Sequence, residues 1–212
     1  MFVVMLSSTM TRRYCNVCSR PEVGCICQFV CSIDNNIKVV VLQHPSEVKQ
    51  SKGSVPLLTL SLSNAECLVG EDFKDNEQLI QTLEKYHGKI ALLYPNDKAI
   101  LLGQPNNSDG AREKAVSDIR CIVLLDGTWK KAYKMYQVNK QLHALPHFML
   151  SEEYKSLYQV RKTNKKGALS TLEACCHALG ILDANSRKYL PLLEKFETFN
   201  SFLISFDRHR NS

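Results

Sequence analysis

The chain has 212 residues, 44% of them hydrophobic and 23% charged, with a formal net charge of +6. This composition fits a globular protein with one substantial core and a small appendage, and excludes a disordered or fibrous chain. No apolar run reaches the ~20 residues of a membrane span. Met1-Phe-Val-Val-Met-Leu6 has no preceding positive charge and falls short of the roughly 7–15 residues of a signal-peptide core. A cytoplasmic protein with no membrane partner is therefore expected. Residues 1–11 read as an extension, with Met10 as a second candidate start. Nine cysteines, an odd number, fit reduced thiols better than disulfides.

Residues 12–31 form a loop-like module with the spacing Cys15-x2-Cys18-x6-Cys25-x-Cys27. Four soft thiolates so close together can close a tetrahedron around Zn2+. Such a site leaves no open coordination position, so its expected role is structural or RNA-facing rather than catalytic. Gly24 is the expected tight turn of this knuckle, and Cys31 keeps a redox or iron–sulfur site open as the competing reading.

Residues 32–212 read as one α/β domain. Short apolar runs at Ile37–Gln43, Glu66–Val69, Lys89–Tyr94 and Cys121–Leu125 have the character of strands buried on both faces, as in parallel sheets. Polar segments able to form helices separate them, notably Asn76–His87 with Leu79, Ile80 and Leu83 at helical spacing. His44-Pro45-Ser46-Glu47 follows the first strand directly. It can bind substrate polar groups or position a proton, and it is equally ordinary chemistry for a turn into a helix. Asn106–Gly110 is the expected flexible loop. Cys67, Cys121, Cys175 and Cys176 are expected to pack as small hydrophobes.

The most informative stretch is Asp126-Gly127-Thr128-Trp129, immediately after the run Cys121–Leu125. In open α/β sheets, ligands bind outside the carboxyl ends of the strands. Trp129, the only tryptophan, either stacks on a base or anchors the next helix to the core. That helix is expected over Lys130–Val138, with Ala132, Met135 and Tyr136 on one side. From Lys130 to Lys166 there are nine basic and two acidic residues, a local charge of +7 that leaves the remainder near neutral. Charge so concentrated suggests a polyanionic partner, nucleic acid first. Arg161 and Lys162 lie in its basic loop, Val160–Lys166. An arginine fork there suits carboxylate or phosphate. Ser170–Leu182 is the clearest helix, with Ser170 and Glu173 in the S-x-x-E capping-box arrangement. Capping alone explains both residues, although the amides of such a helix start also favour an anionic ligand group. A last helix is expected from Ser186 to about Ile204, with Pro191 near its first turn.

Together these motifs resemble the DTW-domain family, whose Asp-x-Thr-Trp signature matches residues 126–129. The four-cysteine cluster, His44-Pro-Ser-Glu47, Leu93-Tyr-Pro95, Arg161 and Ser170-Thr-Leu-Glu-Ala174 follow in the family's order. One stretch departs from the family's pattern: Gln50-Ser-Lys-Gly-Ser-Val-Pro56 stands where a Thr-Asn-Thr-like segment and a basic residue are usual. The resemblance implies a SPOUT-like α/β fold, a mostly parallel sheet with flanking helices in which a knot is one option. It also implies a tRNA-uridine aminocarboxypropyltransferase that uses S-adenosylmethionine to modify uridine N3, with the variable loop as the favoured position and no protein partner.

Within that resemblance, Asp126 is the catalytic candidate, acting as a base through a raised pKa or mainly orienting the uridine. Leu93, Pro95, Gly127, Thr128, Trp129, Leu169, Ser170, Thr171 and Glu173 join Asp126 as cofactor-binding candidates. His44, Glu47, Lys52, Lys130, Lys131, Arg161 and Lys162 are the substrate-binding candidates. Two further readings stay open: an RNA methyltransferase using the same cofactor, and a zinc-dependent RNA-binding protein without catalysis.

Overall fold

In the computed structural model, residues 13–103, 116–154 and 169–210 are described. Six strands, β1 (Lys38–Gln43), β2 (Ala65–Val69), β3 (Ile90–Leu93), β4 (Ile100–Leu102), β5 (Cys121–Asp126) and β6 (His147–Leu150), form one sheet in the order β2-β1-β5-β3-β6-β4. Every neighbouring pair is parallel. The helices are α1 (Val55–Ser61), α2 (Glu77–Lys85), α3 (Trp129–Val138), α4 (Thr171–Leu182) and α5 (Leu190–Arg210). No helix among the described residues is long and apolar enough to cross a membrane.

Strand periodicity divides the core in two. Val39 and Val41 of β1 point to one face with Ile122 and Leu124 of β5, and are covered by α1, α4 and α5. Val40 and Leu42 point to the other with Val123, against Leu79 of α2 and Met135 of α3. Side chains that alternate across a pleat must be covered on both sides when every residue is apolar. The central strands β1 and β5 meet that expectation. Strand β2 does not: it lies at the sheet edge, Leu68 is its one fully buried residue, and Val69 is 52% exposed.

Three elements go beyond the sequence expectation. Helix α1 starts at Val55, after the N-cap Ser54, with Pro56 in its first turn, where the missing N–H costs nothing. Strands β4 and β6 have three and four residues, too short for any periodicity to register. The expected helix from Ser186 opens as a 3-10 turn, Ser186–Tyr189, before α5 begins.

Residues 13–31 pack against the C-terminal helix. Ile26 and Phe29 are buried in the same core as Phe199, and the Phe29 ring lies 5.5 Å from those of both Phe199 and Phe202. The loop Asn106–Gly110 lies outside the described residues.

Sheet order sets the site. From β1 the chain moves outward to β2 and then crosses to β3, and β5 is later inserted between β1 and β3. The carboxyl ends of β1 and β5 thereby become neighbours, with Gln43 opposite Asp126. Such a reversal of strand order opens the crevice where α/β sheets take ligands.

Candidate active site and metal centre

Asp126 ends β5 and is 8% exposed. Its carboxylate is held from two sides. Gln43 Nε2 donates to Oδ2 at 2.9 Å, and Thr171 Oγ1, in the first turn of α4, donates to Oδ1 at 2.6 Å. A carboxylate has about four acceptor positions, so each oxygen keeps one for a ligand N–H. The backbone is fixed as well, since the His44 N–H donates to the Asp126 carbonyl at 2.9 Å. Gly127 lets the turn pack closely: a Cβ there would stand 3.1 Å from Lys131 Cβ, closer than most Cβ contacts, and 3.6 Å from His44 Cβ. Thr128 then caps α3, its hydroxyl accepting from the Lys131 N–H.

A second polar network borders this turn. The Ser46 N–H donates to His44 Nδ1 at 3.2 Å, which makes Nδ1 an acceptor and leaves the ring proton on Nε2. Nε2 in turn faces Glu71 Oε2 at 3.0 Å. The other Glu71 oxygen pairs with Lys134 Nζ at 2.7 Å. Lys134, then His44, hold the Glu71 carboxyl below the usual carboxylate range. Lys131 Nζ reaches Ser46 Oγ at 2.6 Å and Glu47 Oε1 at 2.8 Å. Fully buried Asn139 fastens the loop behind Glu71, accepting from the Phe73 N–H and donating to the Glu71 carbonyl.

The start of α4 is closed by its own side chains. The Ser170 N–H donates to Glu173 Oε2 at 2.7 Å and the Glu173 N–H to Ser170 Oγ at 3.2 Å, completing the capping box. Both residues are buried, so the capping reading accounts for their side chains. Trp129 is 48% exposed. Ala132 and Met135 are the buried residues of α3.

In the thiol module, all four sulfurs lie within 4.8 Å of one another. Cys15 and Cys27 are 3.6 Å apart, and Cys18 and Cys25 3.7 Å. Tetrahedral Zn–S bonds of about 2.3 Å require sulfur–sulfur edges of about 3.8 Å. The cluster therefore has the dimensions to hold a metal ion. Backbone amides of Cys18 and Val17 pull the Cys15 thiol down to about 6, whereas burial and the neighbouring sulfurs push Cys27 up to about 12. The expected turn at Gly24 is present as the 3-10 turn Glu22–Gly24, closed by the Gly24 N–H donating to the Pro21 carbonyl at 2.8 Å; the left-handed residue of the knuckle is Ser19, with φ 55°, and a Cβ at Gly24 would touch nothing. Arg20 beside it donates to the carbonyls of Ser51 and Gly53 at 2.8 and 3.3 Å. The module thus grips the loop that carries Lys52. The remaining thiols are buffered by burial, which raises Cys67 to about 11 and Cys121 to about 12.

A family profile described as DTW domain matches residues 12–204. The chain belongs to the DTW domain family. It is 29% identical over 194 residues to tRNA-uridine aminocarboxypropyltransferase 2 of Drosophila melanogaster, covering 88% of this chain and 73% of that protein. It is 28% identical to the Macaca fascicularis protein of the same name, covering 90% of this chain and 63% of that one. The Arabidopsis thaliana tRNA-uridine aminocarboxypropyltransferase A is 24% identical, with 90% and 81% covered. No solved structure was found to match the chain.

The DTW signature is thus the corner where β5, β1 and α4 meet. Asp126, Gly127, Thr128 and Thr171 come together there, with His44, Glu47 and Lys131 alongside. Leu93 ends β3, the strand next to β5, in register with Leu124, and Pro95 beyond it is exposed. Leu169 is half-buried before the α4 cap, and Lys130 is exposed on the first turn of α3. Arg161 and Lys162 lie outside the described residues. Sequence reasoning missed Gln43, Glu71, Asn139 and Arg20. Gln43 carried a signal, because it is the polar end of an apolar strand just as Asp126 is. The other three act through contacts across the fold and had none.

Proposed function

We propose that this chain transfers the 3-amino-3-carboxypropyl group of S-adenosylmethionine to N3 of a tRNA uridine, in the variable loop, and acts in the cytoplasm. The single observation that carries the reading is Asp126: a nearly buried carboxylate at a strand carboxyl end, clamped by Gln43 and Thr171, with acceptor capacity left over. The names of the DTW-family relatives support the same reaction class.

In this reaction a bond forms between uridine N3 and the γ-carbon of the amino acid moiety. The bond from that carbon to the sulfonium sulfur breaks, its electron pair stays on sulfur, and methylthioadenosine leaves. The N3 proton must depart. Asp126 accepts a hydrogen bond from N3–H, orients the ring and takes up the N3 proton as the N–C bond forms, passing it on to water. Leu93, Pro95, Gly127, Thr128 and Trp129 flank the cofactor from one side. Leu169, Ser170, Thr171 and Glu173 build the α4 start, whose amides suit its carboxylate. His44, Glu47, Lys52, Lys130 and Lys131 are the described residues that bind the RNA, and the sequence adds Arg161 and Lys162 to the same role. Cys15, Cys18, Cys25 and Cys27 hold Zn2+ as a closed structural site.

The test is incubation of purified protein with S-adenosylmethionine and unmodified tRNA, followed by mass spectrometry. Aminocarboxypropyluridine and methylthioadenosine in equal amounts support the proposal. S-adenosylhomocysteine with a methylated nucleoside would convert the reading to a methyltransferase, and absence of turnover would leave an RNA-binding protein.

A further inference from the structure

We propose that the outer face of α3 is a stacking platform for unpaired nucleotides of the RNA substrate, with Tyr133 at its centre. The inference rests on the tRNA reading above and specifies which part of the RNA this surface takes. Trp129 and Tyr133 stand one helical turn apart and are 48% and 58% exposed. Their neighbours Lys130 and Lys134 are exposed too, Lys134 even while it pairs with Glu71. The opposite side of the helix, Ala132 and Met135, is spent on the core.

The aromatic surface continues beyond α3. Tyr136 stacks between Tyr94, with centroids 5.0 Å apart and planes 22° apart, and His143, at 4.2 Å and 25°. Burial, then the neighbouring hydroxyls of Tyr136 and Tyr133, raise the Tyr94 phenol. Charge selects the occupant. From Gly127 to Ser151 the sequence has four lysines and no acidic residue, which suits phosphate and disfavours a cationic partner. Interleaved rings and lysines bind single strands, because an unpaired base exposes a π-face that a duplex keeps stacked inside. Trp129 follows Asp126 by three residues, so bases laid along this face lead directly to the reacting carboxylate.

Trp129 is the sole tryptophan and serves as the reporter. Full-length protein is titrated with a single-stranded oligouridylate and with a duplex RNA of equal length, following tryptophan fluorescence. Tighter binding of the single strand with quenching is expected. Tyr133→Ala should weaken that binding about 5- to 150-fold, whereas Tyr133→Phe, which keeps the ring, should bind as wild type does. Melting curves of both variants report folding. Equal affinity for both RNAs, or unchanged oligouridylate binding by folded Tyr133→Ala, overturns the platform. Failure of the reaction reads differently: no aminocarboxypropyluridine forms, while preferential single-strand binding persists.

Discussion

The thiol cluster and the Asp126 corner are two compact sites built in opposite ways. The four cysteines fall within thirteen residues, so the knuckle closes on itself and its ligands are fixed by spacing. Asp126 depends on Gln43, 83 residues before it, and Thr171, 45 residues after it. Its geometry exists only when β5 has entered the sheet beside β1 and α4 has docked. A local site can be stabilised by a metal; a non-local one takes its rigidity from the whole core. The difference implies that perturbing the first should lower stability, and perturbing the second should lower activity.

The sharpest break in the second site is Asp126→Asn. It removes the charge while nearly keeping the shape, and turnover should fall about 10²- to 10⁴-fold, measured as aminocarboxypropyluridine formed per minute. A loss under tenfold would reduce Asp126 to a bracket between strand β1 and helix α4. For the first site, Cys18→Ser should abolish bound zinc by elemental analysis. The melting temperature should then drop by about 10 °C, as a loss of about 3 kcal/mol does in a chain of this size. Because Arg20 ties the knuckle to Ser51 and Gly53, amide exchange in residues 50–54 should quicken as well. An unchanged melting curve would mean that the module closes without metal.

Thr171→Val tests the clamp more gently. It deletes the hydroxyl that donates to Asp126 Oδ1 and preserves the volume. A hydrogen bond to a charged group contributes about 1.5–3 kcal/mol, so turnover should fall roughly 10- to 150-fold if that bond sets the reacting geometry. Melting temperature should change far less, which is the pattern that separates the two sites. Wild-type turnover in this variant would leave Gln43 as the only clamp that matters.

The smallest expected effect concerns acid. Burial depresses the imidazoles of His147 and His177 below their ordinary 6.5. As pH falls through the window between 6.5 and those lowered values, the unfolded chain takes up protons that the folded chain refuses. Stability therefore decreases with acidification there and is fully regained above 6.5. His147 Nε2 is also buried without a partner, so His147→Phe should flatten the acid slope of the melting temperature, by at most about 3 °C. An identical slope would assign the acid sensitivity to other groups.

Much of the scaffold was legible. The runs Val39-Val40-Val41-Leu42 and Cys121–Leu125 are apolar at every position, which only a two-sided burial explains, and both are central strands. Ser170 and Glu173 announced the start of α4 because a capping box is a local contact. Strand β2 misled for the opposite reason: its residues do not record that the strand lies at the edge. Helix α1 hid behind a proline, and β4 and β6 behind their brevity. At the site, Asp126 and the four cysteines stood out, whereas the Glu71–His44–Lys134 bridge had no sequence trace, since nothing in the chain order says that these three meet.

Sequence alone determined the α/β class, the metal-sized thiol set, the family and the identity of Asp126, because each depends on spacing of a few residues. Only the tertiary structure decided how the Asp126 carboxylate is held, that Trp129 faces outward beside Tyr133, and that the knuckle grips the 51–53 loop. Those features depend on strand order and helix docking, and such long-range choices are made by burial of the whole chain at once.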